Sequence, residues 1–130
     1  MDVKVVDASA LGAIIFKEPE REKIARRLEG ARLVAPALLG FEIVNACVTK
    51  LRRHPELRAG ILQAFLLQGG LMIDREEIDH ASVLTMAEQF RLTGYDASYL
   101  WLAQRLGGEL VTLDRPLGRA AAALGLAPPP

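Results

Sequence analysis

The feature that most constrains this chain is the run Lys4-Val5-Val6-Asp7-Ala8-Ser9-Ala10, an apolar strand near the start that ends on an acid. Val3, Val5 and Val6 supply the β-branched character of a strand buried in a parallel sheet. Asp7 falls at its carboxyl end. Open α/β sheets build their sites at that edge, because the strand holds the backbone while the following turn exposes a side chain. Further along, short apolar strands alternate with helical segments, the pattern of a parallel sheet covered by helices. The expected architecture is one α/β domain with a central parallel sheet of four to five short strands.

Taken in order, residues 8–17 carry apolar side chains at helical spacing, with Ser9 available as a cap and Pro19 closing the segment. Residues 20–28 form an amphipathic helix with Ile24 and Leu28 on one face, stopped by Gly30. A second strand is expected over 32–35. Pro36 suits the first turn of the next helix, which runs to Arg53 and is apolar almost all round, with Glu42 about two turns in. Asn45, Ala46 and Thr49 share a line with Glu42. His54-Pro55 breaks the chain, 56–67 is helical, and Gly69-Gly70 closes it. Residues 71–73 make a short third strand, 76–92 an amphipathic helix, and 95–106 a mainly apolar helix with Asp96 in its first turn. Residues 109–113 form a strand ending on Asp114, and 115–124 an Ala-rich helix. The domain spans 1–127, and 128–130 is a proline tail.

With 51% hydrophobic residues in 130, the chain has enough for one compact core and too little for two ordinary domains. Its formal charge of zero advertises no global field for nucleic acid, so any such binding rests on local patches. A single cysteine excludes an intrachain disulfide, and with two histidines it argues against a zinc cluster. The first residues show no signal peptide and no membrane span, so a cytoplasmic location is expected.

Asp7 and Asp114 each follow an apolar strand, which in a parallel sheet puts both at one edge. Glu42 and Asp96, on helices, are the other acids whose settings allow them to join. Four carboxylates together repel one another unless cations neutralise them, and an all-oxygen set suits Mg²⁺ or Mn²⁺, one or two ions, over zinc. Such ions lower the pKa of bound water and clamp phosphate oxygens, so phosphodiester hydrolysis is the natural reaction. Ser9 and Thr112 are auxiliary polar positions able to hold bound water or a phosphate oxygen. Each acid also has a plainer reading: Asp7 and Asp114 as helix caps, Asp96 as a partner of a helix dipole, Glu42 as a solvated helix edge.

The segments Val5-Val6-Asp7-Ala8-Ser9-Ala10, Pro36-Ala37-Leu38-Leu39-Gly40-Phe41-Glu42-Ile43-Val44-Asn45-Ala46, Thr93-Gly94-Tyr95-Asp96-Ala97-Ser98-Tyr99-Leu100 and Leu110-Val111-Thr112-Leu113-Asp114 together resemble the PIN-domain family, and most nearly its small VapC-type toxins. The resemblance covers essentially the whole chain in motif order. It implies a PIN-like fold and a Mg²⁺- or Mn²⁺-dependent ribonuclease with Asp7, Glu42, Asp96 and Asp114 as the acidic quartet. Asp114 is the weakest match, because family members differ near that strand end. The resemblance also implies an RNA substrate, a cognate antitoxin that blocks the site and links the toxin to operator DNA, and a homodimer. Two other functions are compatible with the acids: an Asp-dependent phosphatase, which usually wants a second acid where Ser9 stands, and a non-catalytic acidic-pocket binding module.

Lys50, Arg52 and Arg53 are candidates for steering RNA phosphates, with solvated helix faces as the competing explanation. Cys47 and Trp101 read as packing residues, and His54 and His80 as helix-boundary residues. Asp74, Glu76, Glu77 and Asp79 read as acids flanking a helix start.

Overall fold

In the computed structural model, which describes residues 2–67 and 71–128, four strands make one sheet in the order β3-β2-β1-β4, every pair parallel. They are β1 (Val3–Val6), β2 (Arg32–Pro36), β3 (Ile73–Glu76) and β4 (Glu109–Val111). Seven α-helices join them among the described residues: α1 (Ala8–Ile15), α2 (Arg21–Leu28), α3 (Leu39–Arg53), α4 (Arg58–Leu67), α5 (His80–Phe90), α6 (Gly94–Leu106) and α7 (Arg115–Ala123). The α/β architecture and the parallel sheet are as expected. Gly69-Gly70, Pro129 and Pro130 lie outside the described residues.

Register explains why β1 is so apolar. Val5 pairs with Val34 on one side and Leu110 on the other, so β1 is a central strand with neighbours at both edges. Helix α6 packs across β1, β2 and β4, while α1 gathers α2, α3 and α4. Val5, Val6, Val34, Leu110 and Val111 meet Leu11, Leu39, Ile43, Tyr99 and Leu100 in one core. Cys47 is buried there, and Trp101 is half-buried against it, both as packing residues.

Several local expectations change, among them the fourth strand, which ends at Val111 and not at 113 and so leaves Asp114 three residues beyond it. The third strand is Ile73–Glu76 in place of 71–73, because an edge strand needs only one partner and tolerates charged residues on its solvated side. Asp74 accordingly pairs with Arg32 at 2.8 Å, and Asp79 caps α5 by accepting from the Ser82 N–H, so the following helix starts at His80 and not at Glu76. Pro36 ends β2 instead of opening α3, which starts at Leu39 and puts Glu42 in its first turn. Ser9 lies inside α1; the cap is Asp7. Nor is α3 buried all round, since Phe41 and Val44 face solvent.

The chain turns from β1 to β2 and β3 on one side, then returns to place β4 on the other. The crevice between β1 and β4 is therefore the switch point of the sheet, the place where α/β folds bind ligands. Close approach is needed at its far end, where a Cβ on Gly108 would stand 2.6 Å from the Val3 carbonyl oxygen. No described helix is long and apolar enough to cross a membrane.

Candidate active site

Asp7 is the best-held side chain at the switch point. Its Oδ1 accepts from the Ser9 hydroxyl at 2.7 Å and the Ala10 N–H at 3.0 Å, and its Oδ2 accepts from the Thr112 hydroxyl. A carboxylate has about four lone-pair positions, so three fixed donors leave one for another ligand. Asp7 is 5% exposed. Burial pushes its carboxyl above the usual carboxylate range, opposed by the Thr112, Ala10 and Ser9 donors, and the charge of Asp96 pushes it further up.

Thr112 ties the two strand ends together. It follows β4, donates to Asp7, and accepts from the Asp114 N–H at 3.0 Å. Ser9 in turn accepts from the Leu113 N–H at 2.9 Å. The β1–α1 and β4–α7 turns are thus cross-linked through two hydroxyls. Asp114 then caps α7, accepting from the Leu117 N–H at 3.0 Å. Its plain cap role and a place at the site coexist, since one oxygen satisfies the cap.

Asp96 and Glu42 come from helices on either side. Asp96 sits in the first turn of α6 behind the Thr93 cap; burial and the nearby charge of Asp114 raise its carboxyl pKa, with the Thr93 hydroxyl opposing. Glu42 is raised chiefly by burial and also by the charges of Asp7 and Asp96. The side chain that opposes this rise is Tyr99, whose fully buried hydroxyl faces Glu42. The pair lies close enough to act on each other but outside good hydrogen-bond geometry: among the described residues, Glu42 Oε1 and Tyr99 Oη are buried polar atoms left without a partner. Sequence reading missed Tyr99, which looked like one more apolar position on α6.

All four acids therefore share one neighbourhood, each acting on the next through space, and each stands at a helix N-terminus where the backbone dipole favours negative charge. Among the described residues, however, no three acidic, His or Cys side chains are close enough to enclose an ion on their own. An ion held here would keep much of its water and lean on one or two carboxylates, the habit of Mg²⁺. The all-oxygen donor set, the lone pair left on Asp7 and the unpartnered Glu42 Oε1 fit such a cation.

The cationic candidates lie elsewhere. Lys50 is eight residues beyond Glu42 on α3, roughly 12 Å along the axis, paired with Glu18 at 3.7 Å and set over the Phe16 ring. Arg52 and Arg53 are exposed at the same distal end. His54 pairs with Glu56 at 3.4 Å, and His80 is exposed at the start of α5.

A parallel sheet with an acid-lined crevice at its switch point defines a hydrolase-like α/β domain, and residues 4–123 match the PIN domain: the chain belongs to the PIN-domain family. It is 32% identical over 126 residues to Ribonuclease VapC3 of Pyrobaculum aerophilum, an alignment covering 92% of this chain and 95% of that protein. The crystal structure of PAE2754 from Pyrobaculum aerophilum superposes with a TM-score of 0.73 at 28% identity, over 92% of this chain and 84% of that one. VapC20 of Mycobacterium tuberculosis, described as a sarcin–ricin loop cleaving toxin, shares the fold with a TM-score of 0.61 at 15% identity, over 92% of this chain and 94% of that one.

Proposed function

We propose that this chain is a divalent-metal-dependent endoribonuclease that hydrolyses RNA phosphodiester bonds, acting as the toxin of a type II toxin–antitoxin pair. The observation that carries the reading is the gathering of Asp7, Glu42, Asp96 and Asp114 around one crevice in a chain 32% identical to a ribonuclease over most of both lengths.

Asp7, Glu42, Asp96 and Asp114 are the residues that would hold one or two Mg²⁺ or Mn²⁺ ions. Bound there, the metal supplies a water of lowered pKa and neutralises phosphate oxygens. Ser9 and Thr112 keep the Asp7 carboxylate in one orientation, so its remaining lone pair points the same way in every molecule. Raised carboxyl pKa values mean that the metal-free acids carry their charges at a cost, which a cation offsets.

The cognate partners are an RNA substrate and an antitoxin protein, with operator DNA reached through the antitoxin. Exposed Phe41, Val44, Leu66 and Leu67 supply apolar surface for the antitoxin and for a homodimer. Lys50, Arg52 and Arg53 supply a distal basic end for RNA backbone. The cytoplasm is the compartment these partners require.

The test compares wild type with Asp7→Asn on a labelled structured RNA with Mn²⁺, with Mg²⁺ and with chelator. Cleavage that needs metal and vanishes in the variant is expected. Cleavage that persists in chelator, or intact RNA with a folded Mn²⁺-binding protein, overturns the reading.

A further inference from the structure

Beside the acidic crevice, a cavity of about 710 Å³ opens between the carboxyl ends of β2 and β3 and the helices α5 and α6. Leu38, in its wall, stands four residues before Glu42, and Tyr95, also in its wall, is the chain neighbour of Asp96. The cavity is thus bounded by the same two helix starts that carry two of the four acids.

The chemistry of the wall is selective. Ile78, Val83 and Leu84 make it apolar, and Tyr95 lines it while remaining 66% exposed. Glu76 and Glu77 bring carboxylates and His80 an imidazole, and no Lys or Arg lines it among the described residues. The two carboxylates repel phosphate and accept from amino groups. Bases carry such donors on their edges, at N4 of cytosine, N6 of adenine and N2 of guanine, whereas uracil has no amino group. Single-stranded RNA is read by splaying a base out of the stack onto an aromatic side chain, and Tyr95 is placed for that.

We propose that this cavity is the subsite for one unstacked, amino-bearing nucleobase flanking the scissile phosphate, with Tyr95 as its stacking surface and Glu77 as its edge acceptor. The proposal rests on the ribonuclease reading above for its ligand class. It makes Tyr95 and Glu77 specificity-determining residues and leaves the metal-holding acids unchanged.

Short RNAs carrying guanine, cytosine, uracil or an abasic site at each position in turn are titrated by fluorescence anisotropy, in chelator, against wild type, Tyr95→Ala and Glu77→Gln. Mn²⁺ affinity of each protein is measured separately by calorimetry. At one position, wild type is expected to bind amino-bearing bases about tenfold more tightly than the abasic strand, a typical stacking contribution. Tyr95→Ala loses that margin for every base, Glu77→Gln narrows the difference between guanine or cytosine and uracil, and Mn²⁺ affinity stays the same. Equal binding of all strands by wild type, or preferences unchanged in both variants, overturns the subsite. So does a wild-type dimer that Tyr95→Ala dissociates, because the cavity is then an interface between copies. Base-selective binding without metal-dependent cleavage sinks the ribonuclease reading alone, and cleavage with unaltered base preference in both variants sinks the subsite alone.

Discussion

The buried Tyr99 hydroxyl and the half-buried Glu42 carboxyl face each other, and each leaves a polar atom without a hydrogen-bond partner among the described residues. Burying two such atoms is costly unless something else uses them. On the proposed function Glu42 has that use, as an acid that would hold metal beside the Tyr99 hydroxyl. Tyr99→Phe removes an unsatisfied group, so thermal unfolding is expected to change by no more than about 1 kcal/mol. Because Tyr99 opposes the raised pKa of Glu42, its loss pushes that carboxyl higher still. The acid limb of the pH–rate profile should move to higher pH, and the Mn²⁺ concentration for half-maximal activity should rise.

Asp7, Glu42 and Asp96 all have folded-state pKa values above their unfolded ones. Acids raised in this way contribute stability that is fully present below the unfolded values and is lost as pH rises through the folded ones. Metal-free protein is therefore expected to melt at higher temperature near pH 5 than near pH 7.5 by scanning calorimetry. Asp79, lowered chiefly by the Ser82 hydroxyl, opposes this only below its ordinary 3.8, outside that window. Adding Mn²⁺ should raise the neutral-pH melting temperature, since a ligand of the folded state stabilises it. Asp7→Asn should raise it without metal and blunt the Mn²⁺ response.

Thr112 donates to Asp7 and accepts from the Asp114 N–H, so one hydroxyl orients two parts of the site. Thr112→Val preserves the shape and removes both bonds. Losing a hydrogen bond to a metal-holding side chain typically costs about 10–100-fold in affinity or activity. Mn²⁺ titration of the variant checks it.

Asp114 is both cap and candidate ligand. Asparagine caps about as well as aspartate, so Asp114→Asn should leave stability near that of wild type, while Asp114→Ala should lose about 1 kcal/mol with the cap. If the Asp114 charge serves the metal, both variants weaken Mn²⁺ binding. Comparing urea midpoints with Mn²⁺ affinities separates the two roles.

Gly108 lets the start of β4 press against β1. In Gly108→Ala the new methyl would meet the Val3 carbonyl oxygen at 2.6 Å, and backbone cannot give way as a flexible side chain does. A loss of about 1–3 kcal/mol in chemical denaturation is expected.

What local pattern could reveal, it revealed. The β-branched run before Asp7 marked the central strand β1, which has neighbours on both sides and must be apolar throughout, and the apolar residues 109–113 marked β4, an edge strand whose Leu110 and Val111 are buried. An acid near the end of each was visible too, Asp7 directly after β1 and Asp114 three residues past Val111, where it caps α7. At β3 the pattern was silent: Asp74, Arg75 and Glu76 look like loop or helix start, yet they pair with Val34, Ala35 and Pro36 because β2 offers a free edge. Pro36 was likewise misread as a helix opener, since its φ suits a first turn as well as the last residue of β2.

The sequence by itself determined that Asp7 ends the first strand and that Asp96 and Asp114 stand at helix starts, since those depend on neighbours within a turn. Only the tertiary structure decided what they meet. Ser9 and Thr112 are separated by 103 positions and yet cross-link around Asp7. Tyr99 could be recognised as apolar from its helix, but not as the group facing Glu42, because that contact exists only when α3 and α6 flank the same strand ends. Lys50, a basic residue on the helix that carries Glu42, was drawn to Glu18 and Phe16 at the distal end instead. Short-range propensity sets the direction of the chain at each residue, and burial against distant segments sets the charge, partners and chemistry of what it presents.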